Sequence, residues 1–414
     1  MSHNPHEAVG DRPPTNADMV PQASVDVTRP ASADLAPQTS IGRFKLPTAQ
    51  LRAYTMLFAL VLIWLYFYYS TSGIFLEARN FSNLMRQTSV TGVLAVGMLM
   101  VIVAGQIDLS VGSVVGLIGG IAAMSQGYGI FGALLIAIGI GILIGAFQGA
   151  LTAYLNIPAF IVTLGGLLAW RGVILGLSKG ETIPVTLAPF KSVGQDYLAS
   201  GAGWGIAALI AVAVLWSNIN RSRTRRKYGL ADTGMMALIL RTVLPIAVIG
   251  AFIYKMNAYK GVPNPVIILL AVALLGAFVM QNTTFGRYLY AIGGNPDAAR
   301  LSGINLRAHI LAVFCVMGAL AGVASIIYTA RVGSASPDAG TLLELDAIAA
   351  CVIGGTSLMG GRGTVFGAIL GALIMASLDN GMSLGNVAPY TQNIIKGAIL
   401  VAAVGLDMMG RKKG

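Results

Sequence analysis

Ile130-Phe-Gly-Ala-Leu-Leu-Ile-Ala-Ile-Gly-Ile-Gly-Ile-Leu-Ile-Gly-Ala-Phe-Gln-Gly-Ala-Leu-Thr-Ala-Tyr154 runs for 25 residues without a charged side chain. The hydrocarbon core of a bilayer takes about 20 mostly apolar residues to cross as a helix. This stretch therefore reads as a transmembrane helix, and the rest of the chain reads the same way. Comparable windows fall near 53–70, 84–105, 109–125, 160–177, 204–218, 235–254, 264–281, 308–330, 346–359, 363–379 and 391–408. That makes twelve spans, or ten on a stricter count. The windows at 109–125 and 346–359 are short or broken by glycine. Such segments are bent or re-entrant, and their freed backbone groups must be satisfied inside the bundle.

Composition agrees. Hydrophobic residues make up 56% of the 414 and charged ones 10%, a balance foreign to water-soluble domains. The net charge of +11 does not build a basic and aromatic face for nucleic acid. Cys315 and Cys351 both lie in apolar runs, away from the three histidines, which argues against a disulfide framework or a metal site.

The expected fold is thus an all-α polytopic membrane protein of about 10–12 spans over residues 51–408. A disordered N-terminal tail precedes it (1–50, with no stretch apolar enough for a signal peptide), and a basic C-terminal tail follows (409–414). Basic residues sit before the first span (Arg43, Lys45, Arg52), at Arg221 to Lys227, at Arg287, Arg300 and Arg362, and at Arg411 to Lys413. The intervening loops carry fewer: Arg79, Lys179, Lys191, Lys255, Lys260 and Arg331. The positive-inside rule then puts both termini in the cytoplasm.

A self-comparison at an offset of 251 residues pairs Val101 with Val352, Gly112 with Gly363, Gly116 with Gly367 and Gly120 with Gly371. It predicts a parallel internal repeat, as transporters often carry; chance alignment of Gly-rich helices is the alternative.

Chemistry concentrates in a few polar places. The hydrophilic segment 285–304 contains Gly293-Gly-Asn295-Pro296-Asp297-Ala298-Ala299-Arg300-Leu-Ser302-Gly303. Asn295 can cap a short helix with Pro296 at its first position, Asp297 complements the helix N-terminus, and Gly303 ends it. Such a helix lying on the membrane surface is either a rigid lever for a partner or an ordinary interfacial loop. Asp108 precedes an apolar helix start and can cap Ser110 and Val111, the alternative being contact with a proton or a sugar. Glu344, Asp346, Ser377, Asp379 and Asn380 gather at span ends on the predicted outer side, where Asn83, Gln87, Gln392 and Asn393 also fall. Convergent donors and acceptors of this kind can line a route for hydroxyl-bearing solutes, dock a binding protein, or cap helices. Trp170 and Arg171 suit interface anchoring, with sugar stacking as the other reading. Arg221 to Lys227 suits anionic lipid.

Several stretches resemble the permeases of ATP-driven sugar importers of the ribose and xylose class. These are Ala78-Arg-Asn-Phe-Ser-Asn-Leu-Met-Arg-Gln-Thr88, Gly105-Gln-Ile-Asp-Leu-Ser-Val-Gly-Ser113, Phe160-Ile-Val-Thr-Leu164, Ala291-Ile-Gly-Gly-Asn-Pro296, Glu344-Leu-Asp-Ala-Ile-Ala-Ala-Cys-Val-Ile-Gly-Gly-Thr-Ser357 and Met375-Ala-Ser-Leu-Asp-Asn-Gly-Met-Ser383. Asp297-Ala-Ala-Arg-Leu-Ser-Gly303 resembles the Glu-Ala-Ala…Gly loop by which importer permeases engage their ATPase, with Asp for the usual Glu. An extra basic, helical region over 204–262 is similar to that of the longer xylose-type members.

The resemblance implies a multi-pass permease in a bacterial inner membrane, with a second permease copy, a cytoplasmic ATPase and a periplasmic sugar-binding protein as partners. It implies D-xylose as cargo, with ribose, arabinose or galactose as alternatives. ATP and Mg would sit on the ATPase, since this chain shows no phosphate loop and is expected to bind no cofactor or metal and catalyse no reaction. An ion-coupled secondary transporter is the rival reading.

Overall fold

The computed structural model describes residues 48–228 and 235–411. The expected N-terminal tail up to residue 47, and residues 412–414 of the basic tail, lie outside them. The chain folds into α1 (Thr48–Ser70), α2 (Ala78–Val103), α3 (Val111–Met124), α4 (Gly129–Tyr154), α5 (Ala159–Ser178), α6 (Ala188–Gln195), α7 (Ser200–Lys227) and α8 (Met235–Asn257). There follow α9 (Asn264–Asn282), α10 (Thr284–Gly294), α11 (Pro296–Leu301), α12 (Leu306–Val332), α13 (Leu343–Ile353), α14 (Val365–Leu384) and α15 (Pro389–Arg411). Each of the twelve apolar windows carries one of these helices. Among the described residues, seven helices are long and apolar enough to cross a bilayer by length and composition. α3 and α13, at 14 and 11 residues, are the broken segments that the short windows predict.

Helices in lipid gain little from hydrophobic burial against one another, so close packing has to hold them. The α4–α12 pair shows how. Gly141 and Gly145 on α4 meet the carbonyls of Gly318 and Phe314 on α12, and Gly322 meets that of Ala137, leaving no room for a Cβ at any of the three. The two helices therefore run antiparallel at backbone contact, where dispersion contacts are densest. α2 is the most enclosed helix, packed by α9, α12, α13 and α14.

Contacts fix the direction of each element. The C-terminus of α2, the α10–α11 segment and the turn at Gly360–Gly361 share one face of the bundle: Gly361 N–H donates to Val103 O at 2.9 Å, and Gly293 packs on the same carbonyl. At the opposite face, Asn80 pairs with Asn380, and the antiparallel bridge of β1 (Ile183–Pro184) and β2 (Ser334–Ala335) closes the surface. α1 runs alongside α14 toward this far face, whereas α15 runs back toward the α11 face.

α2 reaches the α11 face, gives way to extended chain at 104–110, and restarts as half-helix α3 running outward. α12 does the reverse: it reaches the far face, dips through 333–342, and restarts as half-helix α13 running toward the α11 face. The four-helix unit α2–α5 thus recurs as α12–α15 with its direction inverted. The sequence pairing at offset 251 joins α3 to α14, which do run the same way, but the recurrence of whole units is the inverted one.

The two extended dips meet in the middle, where Gly112 lies against Gly340 O and the Glu344 carboxylate. α7 and α8 form a hairpin beside this bundle, clamped by Asn218 Nδ2 donating to Thr242 Oγ1 (3.0 Å) and joined to α2 through Phe252 against Phe81.

Candidate functional site

The α11 face carries an exposed lever on a rigid base. Thr283 caps α10 by accepting from Gly286 N–H, and Asn295 caps α11 by accepting from Ala298 N–H at 3.0 Å. Pro296 occupies the first turn with Asp297, Arg300 lies in the last, Ser302 closes the helix on Ala298 O, and Gly303 follows at φ 83°. From Thr283 to Gly303 the buried residues are Gly286, Leu289, Ile292 and Ala299; Leu301 is 90% exposed, more than an interior helix would tolerate. Beneath it, Gly293 contacts Val103 O and the turn at Gly360–Gly361, while Tyr290 Oη donates to Gly363 O at 2.8 Å. Burial pushes the Tyr290 phenol up from its ordinary value, so it remains a donor at neutral pH. These contacts tie the α10–α11 segment to the end of α2 and to the chain between α13 and α14.

Around α3 the polar groups satisfy one another except at Trp170, whose buried Nε1 has no partner. Asp108 Oδ1 accepts from Ser110 N–H (2.9 Å) and Ser110 Oγ (2.7 Å), and Gln148 joins Ser110 Oγ at about 3.0 Å. The capping reading holds for Ser110. The cavity beside Asp108 amounts to about 10 Å³, no more than one water. Arg171 is an internal strut rather than an interface anchor: its Nη1 donates to Pro337 O and Ala339 O on the dip before α13. Trp170 packs edge-on against Phe147.

Around α13 they do not. Leu342, directly before the half-helix, has φ +67°, a left-handed conformation rare for a branched residue. Lys396 on α15 sits 3.0 Å from Asp346 and 3.2 Å from Asp379, tying α15 to α13 and α14. Both aspartates border a cavity of about 170 Å³ with Gln87, Thr91, Tyr328 and Arg331. A neighbouring cavity of about 190 Å³ takes in Asn393 and the other side of Lys396. Nearer the far face, Asn83, Arg86 and Tyr197 line a third, of about 490 Å³, with the Arg86 guanidinium 4.4 Å above the Tyr197 ring.

The structure therefore divides the outer cluster expected from sequence. Asp346, Asp379 and Gln87 come together at one cavity, with Asn393 and Asn83 at its neighbours. Glu344 lies apart from them, against Gly112 at the start of α3. Three others serve the scaffold: Ser377 accepts from Trp64 Nε1 (2.9 Å), Asn380 pairs with Asn80, and Gln392 donates to Val387 O. Asp379 does not end its span, because α14 continues to Leu384. Window 346–359 stops as a helix at Ile353, where Gly354 and Gly355 begin the turn. Lys396 was not singled out in the sequence; a lone lysine inside an apolar window is the signal that marks it.

The chain matches the family described as branched-chain amino acid transport system / permease component over residues 80–404. It is 46% identical over 372 residues to the xylose transport system permease protein XylH of Escherichia coli, covering 89% of this chain and 94% of that protein. The XylH protein of Haemophilus influenzae is 45% identical over 89% of this chain and 100% of its own length. The ribose import permease protein RbsC of Escherichia coli is 36% identical over 80% of this chain and 87% of its own length. No solved structure matches.

Proposed function

This chain belongs to the branched-chain amino acid transport system permease component family, and from that premise we propose that it carries D-xylose inward when driven by a partner's ATP. It is the membrane-spanning subunit of an ATP-binding-cassette sugar importer in the inner membrane, working with an ATPase and a periplasmic binding protein. Xylose is preferred as the cargo because the two relatives named for it match at 46% and 45%, against 36% for the ribose relative. Two copies of the chain form the pathway, with ATP and Mg held on the partner.

The observation that carries the coupling reading is the seat of α11. An exposed helix of six residues rests through Gly293 on Val103 O and the Gly360–Gly361 turn. Closure of the ATPase pair displaces α11, and the glycine seat transmits the movement to α2 and to the chain flanking α13, the helices that border the polar cavities. Those cavities alternate between the two faces as the bundle rocks. Sidedness follows from charge: Arg287, Arg300 and Arg362 gather at the α11 face, which makes it cytoplasmic, while the far face with its larger polar cavity receives the binding protein.

Uptake of labelled D-xylose in cells lacking xylose transport tests the reading. Uptake is expected to require this chain, its ATPase and its binding protein, and to persist when the proton gradient is collapsed with ATP maintained. Uptake by the chain alone that vanishes with the gradient makes it a secondary transporter. Arg300→Glu is expected to leave the amount of protein in the membrane unchanged and to cut uptake at least about tenfold by reversing a charge at the ATPase contact. Normal uptake by that variant removes the coupling assignment.

A further inference from the structure

The cavity of about 170 Å³ between α2, α12, α13 and α14 is bordered by polar groups that the protein itself leaves without partners. Among the described residues, the side chains of Gln87 and Thr91 make no hydrogen bond, although Thr91 is buried. Arg331 keeps a buried Nε with no acceptor. Asp379 Oδ1 is at ion-pair distance from Lys396 yet accepts no hydrogen bond. Buried polar atoms in folded proteins are nearly always paired; Arg331 Nε and Asp379 Oδ1 are two that are not, and with the open amide of Gln87 and hydroxyl of Thr91 at the same void they point to a partner that comes and goes.

The chemistry of the lining narrows that partner. Arg331 donates, Asp379 accepts, and Gln87 and Thr91 do both, which matches hydroxyls that each donate and accept. The charges balance: Asp346, Asp379 and Arg331 border the space and Lys396 pairs with both carboxylates from behind, while the nearby Glu344 has Arg171 for company. An ionic ligand would bring an uncompensated charge into a poorly solvated place; a neutral one does not. Tyr328 also borders the space, with the Arg331 guanidinium 5.6 Å over its ring. The volume is below the roughly 300–1,000 Å³ of pockets for drug-sized ligands, as suits a monosaccharide.

We propose that this cavity is a sugar subsite contained within a single protomer, which takes a neutral pentose through Gln87, Thr91, Arg331 and Asp379 between its release from the binding protein and its exit. This rests on the sugar-permease reading and adds to it a place of occupancy lined by residues of one chain. Lys396 is a positioning residue: it touches no sugar and holds the two carboxylates in place.

The test uses the complete transporter, permease with ATPase and binding protein, reconstituted in vesicles with labelled D-xylose. Gln87→Leu and Thr91→Val remove hydrogen-bonding capacity at nearly constant volume. Each is expected to slow uptake at saturating loaded binding protein by about fivefold, the worth of one hydrogen bond. In at least one of them the ratio of xylose to ribose uptake shifts by about threefold or more. Stimulation of ATP hydrolysis by the loaded binding protein stays within about twofold of wild type, because docking precedes occupancy. Unchanged uptake in both variants means that the cavity holds water only, and parallel loss of uptake and ATPase stimulation means that these residues serve the scaffold; either overturns the subsite. Wild-type vesicles that carry another sugar discard xylose, and the same variants are then judged with that sugar. Wild-type vesicles that carry no sugar remove the permease reading and the subsite with it.

Discussion

The α3 and α13 units are built on one plan, a long helix followed by an extended dip and a half-helix, yet they differ in what their carboxylates do. Asp108 is consumed locally by Ser110, and about 10 Å³ remains beside it. Asp346 is held from outside, by a lysine on a different helix, and faces about 170 Å³. A buried charge satisfied within its own loop makes a rigid element. One satisfied across helices makes an element whose geometry depends on how those helices stand. The first unit is held within its own loop and the second is held across three helices.

Substitution of Lys396 strikes the comparison hardest. Lys396→Met leaves two mostly buried carboxylates without their cation and is expected to cost about 3–5 kcal/mol, read as a lower unfolding temperature of the purified protein. Adding Asp346→Asn and Asp379→Asn should recover most of it; an unfolding temperature unmoved by Lys396→Met would mean that the triad does not hold α13. Next comes the crossing of the dips. Gly112→Ala places a methyl group against Glu344 and Gly340 O and should destabilise by about 1–3 kcal/mol. Gly165→Ala, with open space around it, should be close to neutral in the same assay. Asp108 separates scaffold from site: Asp108→Ala is expected to cost about 1–2 kcal/mol, whereas Asp108→Asn, which keeps an acceptor for Ser110, should retain uptake within about twofold. Abolished uptake in Asp108→Asn with normal stability would put the α3 carboxylate in the transport path and erase the distinction. The smallest effect is expected from Asn295→Ala, which removes the α11 cap at about 1 kcal/mol and should lower the uptake obtained per ATP hydrolysed more than it lowers stability.

The membrane class and the helices of the twelve windows were legible because most of the windows are long and uninterrupted, and α11 because Asn295, Pro296, Asp297 and Gly303 each have a local meaning. What lay beyond the sequence was non-local. Asp346 and Asp379 stand 33 positions apart and are joined by Lys396, a residue that scans as one charge in an apolar run. The inverted units share geometry rather than residues, so self-alignment found the Gly-rich hairpins instead. Gly141, Gly145 and Gly149 do recur every four residues, the spacing of a close helix contact, but only the structure names α12 as the partner. Arg171 was read by position along its helix, which says nothing of the dip folded back against it.

The seat beneath α11 bears on how such a protein changes partners over evolutionary time. Gly293, Val103 and Gly361 meet through main-chain atoms, so the joint is indifferent to the side chains displayed on α11 above it. Asp297, Arg300 and Leu301 stand exposed above it, so substitution there leaves the joint itself untouched. On the proposed reading of α11 as the ATPase contact, recognition lies in replaceable side chains and transmission in a backbone contact that admits no Cβ at Gly293.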